Sequence, residues 1–219
     1  MRRPLGNYVM ENILFKVSYP AEFHAQTAAE AAIELHPQVV DRLEAITEIR
    51  IATHESAMRI IDKKGELTNP ADRDHCLQYI VAVSLLHGDL VSEHYEDAAA
   101  ADPRIDLLRS KMIVTEEPRY SVDYLDLDVR SIANRIEVHF SDGSKTDAIE
   151  VEFPLGHRRR RAAAQSPLER KFRENASSRF ERSRVDSLMQ MFAPDSRMLE
   201  MRVSQFMDQF VGRASTPKE

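Results

Sequence analysis

Apolar residues recur along this chain with two periods, and the change from one to the other lays out its organisation. Between Ala25 and Leu35 the residues Ala28, Ala31, Ala32 and Leu35 share one face, which predicts a helix that His36-Pro37 ends. From Ile46 to Thr53 apolar and polar positions alternate through Ile49-Arg50-Ile51, the pattern of a half-buried strand. Glu55–Ile61 reads as a short helix stopped by Lys63-Lys64-Gly65. Asn69-Pro70-Ala71-Asp72 is a helix start: Asn69 can cap, Pro70 fits the first position, and Asp72 faces the positive end of the dipole. This helix is expected to run to about His87 and stop at Gly88. Its apolar residues, from Cys76 to Leu86, cover most of its circumference, so it should be buried.

Short helices are expected over 92–97 and 103–110, and a strand over 111–116. Next, Ile136, Val138 and Phe140 alternate with charged residues, Ser141-Asp142-Gly143-Ser144 turns, and Ile149, Val151 and Phe153 alternate again. That pattern is a β-hairpin around Asp-Gly. Beyond Pro154 only helical stretches follow, at about 167–180, 182–191 and 198–210. Helices segregated from a sheet predict an α+β fold: a small domain with an antiparallel sheet and helices, followed by C-terminal helices. The expected divisions are a connector over 1–20, the small domain over 21–155, returning helices over 156–212 and a frayed tail over 213–219.

Composition narrows the function classes. The chain has 219 residues, a net charge of −6, one cysteine and six glycines. The acidic balance argues against a nucleic-acid partner, and no run approaches the ~20 apolar residues of a membrane span. The glycines are too dispersed for a phosphate-binding loop. The lone Cys76, with no leader-like segment at the start, suits a reducing, cytosolic setting. No histidine pair has metal-ligand spacing, so neither metal nor other cofactor is expected.

Three constellations could carry chemistry. Lys16, Tyr19, Glu22 and His24 lie within nine residues and could bind a polyanion or move protons; the plainer reading is an exposed loop. His75 and Tyr79 are four apart on the expected 70–87 helix and would share a face, with Asp72 one turn back to orient the imidazole; the plainer reading is a buried pair with satisfied hydrogen bonds. Arg158–Arg161 could grip carboxylates bidentately, or dock on the acidic stretch between Asp89 and Asp128.

Several strings taken together carry a resemblance. They are Gly6-Asn-Tyr-Val-Met-Glu-Asn-Ile-Leu-Phe-Lys-Val-Ser-Tyr-Pro-Ala-Glu-Phe-His24, Arg59-Ile-Ile-Asp-Lys-Lys-Gly65, Asn69-Pro-Ala-Asp-Arg-Asp-His-Cys-Leu-Gln-Tyr79, Pro154-Leu-Gly-His-Arg-Arg-Arg160 and Lys171-Phe-Arg-Glu-Asn175. In this order they resemble the C-terminal part of the MmgE/PrpD family. The resemblance implies a small α+β domain with helices that return to a separate all-helical domain. It implies elimination of water from 2-methylcitrate to 2-methyl-cis-aconitate, in propionate breakdown by the methylcitrate cycle, without an iron–sulfur cluster. By motif position, Lys16 would anchor a substrate carboxylate and Tyr79 would donate a hydrogen bond or relay a proton. His75 matches a histidine of the decarboxylase branch. Here one extra residue separates Lys16 from Pro20, so the histidine that follows the proline in relatives falls near Glu22 rather than on His24.

The expected partners are a tricarboxylate and either the missing helical domain or a second copy of the chain. The family's helical domain also contributes to the site, so this segment alone is expected to be inactive. The competing reading is a non-catalytic remnant acting as an oligomerising or binding module.

Overall fold

The computed structural model describes residues 15–193 and 195–211. Residues 1–14 of the expected connector and the whole of the expected tail lie outside the described residues. The chain divides into two compact units, the first ending at Arg161 and the second beginning at Ala162.

In the first unit a 3-10 turn, Phe23–Ala25, leads into α1 (Gln26–Val39), and a second such turn, Val40–Ala45, leads into β1 (Ile46–Thr53). The helices α2 (Glu55–Ile61), α3 (Pro70–Asp74), α4 (Leu77–His87), α5 (Asp97–Ala100) and α6 (Pro103–Ser110) precede β2 (Met112–Glu116). After α7 (Pro118–Leu125) come β3 (Asn134–Phe140) and β4 (Ile149–Val151). The sheet order is β2-β1-β3-β4. Ile51 lies opposite Ile136 in the antiparallel β1/β3 pair, and Ile136 opposite Ile149 in the β3/β4 hairpin. The α+β expectation holds, with one difference: β2 pairs with β1 in parallel, Ile51 opposite Val114. A parallel return needs a long crossover, and the helices between Thr53 and Met112 supply it.

The core lies where α1 packs on β3 and β4 and α4 packs on the other side of α1. Ala28, Ala29, Ala31 and Ala32 are fully buried, and their small side chains let α4 approach closely. Every residue of α4 from Leu77 to Leu86 is buried, as its all-round apolar pattern predicts. Gly88, at φ +64°, ends α4 against the His36 ring. His36 Nδ1 bonds the Leu85 carbonyl at 2.8 Å.

Two expectations about the helices need correction. Pro37 does not end α1 but lies inside it; in the last turn its missing N–H leaves only one carbonyl without its usual partner. The expected helix over 70–87 is two helices, because Cys76 is extended (φ −123°, ψ 108°) and caps a new start at Leu77. The two helices have different anchors. The buried Arg73 on α3 donates to the Tyr95 carbonyl at 2.6 Å and pairs with Asp97, whereas α4 is enclosed by apolar core.

The second unit contains α8 (which starts at Arg161 and runs to Ser177), α9 (Arg182–Met191) and α10 (Val203–Asp208). α8 begins about six residues earlier than expected and includes Pro167. The helix expected over 198–210 is a 3-10 turn, Met198–Glu200, followed by the short α10. Phe172, Phe192, Phe206 and Phe210 form a chain of ring contacts, with successive centroids 5.7, 6.4 and 5.2 Å apart. Among the described residues no helix is long and apolar enough to cross a membrane.

Candidate functional site

At the end of the sheet where β1 finishes, four side chains from three separate segments meet. Glu22 caps the 3-10 turn before α1: one carboxylate oxygen accepts from the His24 backbone N–H at 2.7 Å. Its other oxygen lies 2.8 Å from His24 Nδ1. Across the ring, His24 Nε2 is 3.2 Å from the Tyr124 hydroxyl, on α7. His54, which follows β1 directly, packs under both rings: its centroid is 4.6 Å from Tyr124, stacked, and 5.1 Å from His24. Asn134, at the start of β3, donates to the His24 carbonyl and to Thr27 Oγ1, both at 2.8 Å, fixing the backbone that carries the imidazole.

The electrostatics of the cluster are asymmetric. Burial alone would raise the Glu22 carboxyl, but the hydrogen bonds and charge of His24 outweigh it and hold it below the usual carboxylate range. An ionised Glu22 only accepts, so His24 Nδ1 carries a proton. When His24 is neutral its Nε2 is then an acceptor and the Tyr124 hydroxyl donates to it. Burial, reinforced by the neighbouring His24, pushes His54 down to about 4, against opposing contributions from the Ala133 backbone and Glu22. At neutral pH His54 is therefore an uncharged platform, and the arrangement can pass a proton between His24 and Tyr124.

Tyr79 lies elsewhere, on α4, where its hydroxyl donates to the His94 carbonyl at 2.7 Å and its ring stacks near Tyr95. Burial pushes its phenol up. It lines a cavity of about 560 Å³ with Arg73, Arg109, Asp97 and Asp106. Both guanidinium groups already have partners: Arg73 holds Asp97 and the Tyr95 carbonyl, and Arg109 holds Asp106 and the Gly65 carbonyl. The cavity therefore presents compensated charge rather than a bare cationic wall.

His75 does not share a face with Tyr79. It is the exposed C-cap of α3, its Nδ1 3.2 Å from the Ala71 carbonyl and from Asp74, because the helix breaks immediately after it. Asp72 does not orient it; that carboxylate is bonded to Lys63, Thr68 and Asn69.

Lys16 is exposed, in the segment that leads to Pro20. Gly156 (φ +98°) sits directly on this segment: a Cβ there would be 2.2 Å from the Phe15 carbonyl oxygen. The contact brings the arginine-rich turn beside Lys16. Arg158 and Arg159 donate to the Asp128 carbonyl, while Arg160 grips Glu30 with bonds of 2.7 and 2.9 Å. The expected docking of these arginines on the acidic stretch thus includes its last residue, Asp128, through the backbone carbonyl. Among the described residues no group of three His, Cys, Asp or Glu side chains is placed to hold a metal.

A family model of the MmgE/PrpD C-terminal domain matches residues 19–193. The 2-methylcitrate dehydratase of Cupriavidus necator is 50% identical over 212 residues, covering 95% of this chain and 44% of that protein. Those of Salmonella typhimurium and Escherichia coli K12 are 47% and 46% identical, each covered over 44% of its length. The chain spans less than half the length of these curated relatives. It belongs to the MmgE/PrpD family, of which it carries the C-terminal domain.

Proposed function

We propose that this chain is the C-terminal part of a 2-methylcitrate dehydratase, which removes water from 2-methylcitrate to give 2-methyl-cis-aconitate in the methylcitrate cycle of propionate breakdown. The observation that carries this reading is identity of 46–50% along nearly the whole chain to enzymes bearing that name. The segment around 15–20 would then connect to a helical domain, 21–155 would be the small domain, and the helices after 156 would return to the helical domain. A cytosolic setting goes with this reading, consistent with the single, buried, unbridged Cys76.

Dehydration requires a proton acceptor for carbon, a proton donor for the departing hydroxyl, and cations for the carboxylates. His24 takes part in the proton transfer in this reading, because Glu22 fixes its tautomer. Lys16 anchors a carboxylate from its exposed position beside the arginine turn. Tyr79 contributes through the cavity it lines. His75, at an exposed cap, is given no part.

The test is the rise in absorbance of the conjugated product. It is followed with this chain alone and with a polypeptide corresponding to the N-terminal part of the Cupriavidus necator enzyme. Turnover by the mixture and none by the chain alone is the expected result. A mixture that associates but leaves 2-methylcitrate unchanged overturns the reading in favour of a non-catalytic module.

A further inference from the structure

The His24 imidazole has no ring nitrogen left to meet a substrate directly. Nδ1 is held by Glu22 at 2.8 Å, and Nε2 faces the Tyr124 hydroxyl at 3.2 Å. Both the Glu22 and His24 side chains are only 12% exposed. Tyr124 is half-buried like them, but its neighbours Val122, Leu125 and Leu127 are exposed by 66%, 66% and 72%. The order along the hydrogen bonds is therefore carboxylate, imidazole, phenol, with the phenol next to the exposed end of α7. The His54 ring, stacked on Tyr124 at an interplanar angle of 24°, holds the phenol over His24.

Resting on the dehydratase reading, we propose that Tyr124 is the catalytic residue of this cluster, the group that exchanges a proton with the substrate, with His24, Glu22 and His54 acting through it as positioning residues. Tyr124 reaches the cluster from α7, more than sixty residues from His54 and about a hundred from His24. The proton balance is closed. The Tyr124 oxygen takes a proton from the substrate carbon as its own O–H proton passes to His24 Nε2. The electron pair of the broken C–H bond forms the C=C bond as the C–O bond breaks and hydroxide leaves. The imidazolium formed at His24 is paired with the Glu22 carboxylate. It returns its Nε2 proton to Tyr124 as the phenol gives its proton to the hydroxide, so that water leaves and the cluster regains its starting state.

Two measurements test this. The first is imidazole 15N NMR of the full chain at mildly alkaline pH. His24 should be the Nδ1–H tautomer, with its Nε2 resonance shifted by the phenol bond. Tyr124→Phe should move that Nε2 resonance and leave the tautomer in place, and Glu22→Gln should release the tautomer. An Nε2–H tautomer in the wild-type chain overturns the relay.

The second is kinetics of the chain with the N-terminal polypeptide. Tyr124→Phe keeps the ring that stacks on His54 and removes only the hydroxyl. It should lower kcat by about 100-fold or more, the scale of a lost acid–base group, and change KM by less than about threefold. A wild-type mixture that works alongside a Tyr124→Phe mixture within about twofold of it overturns the relay but not the dehydratase reading. An inactive wild-type mixture overturns both, whatever tautomer NMR finds.

Discussion

Glu22 holds His24 at two points, its carboxylate oxygens accepting from the backbone N–H at 2.7 Å and from ring Nδ1 at 2.8 Å. One side chain thus caps the turn that opens α1 and fixes the imidazole's tautomer. With the Glu22 carboxyl held low in the folded state, its contribution is present above the unfolded carboxylate pKa of 4.5 and is lost as pH falls through the lower folded value. Glu22→Gln should cost about 1–2 kcal/mol at neutral pH, the worth of a charge-assisted hydrogen bond. It should also flatten the loss of stability below pH 4.5. Urea unfolding at stepped pH reads both effects, and an unchanged acid slope would remove Glu22 from this role.

His54 titrates in a different window. A free imidazole near 6.5 takes up a proton well before the buried one at about 4, so between these values the unfolded state binds more protons than the folded state. Stability should therefore fall as pH drops from 6.5 to 4, by on the order of 2–3 kcal/mol. His54→Gln should abolish that part of the slope while leaving the Glu22 part below it. Urea midpoints at pH 7 and near pH 4.5 suffice as the check.

Two glycines with positive φ should respond differently to alanine. Gly143, in the hairpin turn at φ +81°, has nothing within 4 Å of its missing Cβ, so Gly143→Ala should cost only the backbone strain, about 1 kcal/mol. Gly156 adds a collision with the Phe15 carbonyl, so Gly156→Ala should cost at least about 2 kcal/mol. Equal melting shifts for the two variants would show that the 15–17 segment gives way without resistance.

For turnover by the reconstituted pair, Lys16→Ala should raise KM for 2-methylcitrate about tenfold, as loss of one carboxylate contact does, with kcat less affected. Tyr79→Phe should reduce turnover and also lower stability by about 1 kcal/mol, because it removes the bond to the His94 carbonyl. Unchanged kinetics in both variants would remove these residues from the site.

Local rules reached much of this fold. The alternation through Ile49-Arg50-Ile51, the Asp142-Gly143 turn, the Asn69 cap and the burial of α4 all follow from patterns a few residues long. The break at His75-Cys76 was not legible, because the apolar pattern of α4 continues back through Cys76 and the cause lies in the distant anchors of Arg73. The parallel β1/β2 pair was hidden for a similar reason, since strand direction depends on the whole crossover. α7 carries only two local signals, Pro118 at its first turn and the Glu117 cap.

The candidate site is legible only where its members are neighbours in sequence. Glu22 and His24 stand two apart, and their proximity signalled proton chemistry. His54 and Tyr124 carry no such signal, since only the return of β1 and α7 to the same end of the sheet brings them together.

The seat of Gly156 on the Phe15 carbonyl has a consequence for how this domain can diverge. Backbone resting on backbone sets the segment that bears Lys16 against the turn that bears Arg158 and Arg159, so a displacement of the turn presses on that segment. Insertions or deletions between Pro154 and Arg161 would therefore displace Lys16 even with every side chain of the cluster intact. The length of that turn bears on the placement of Lys16 as much as the identity of any residue in it.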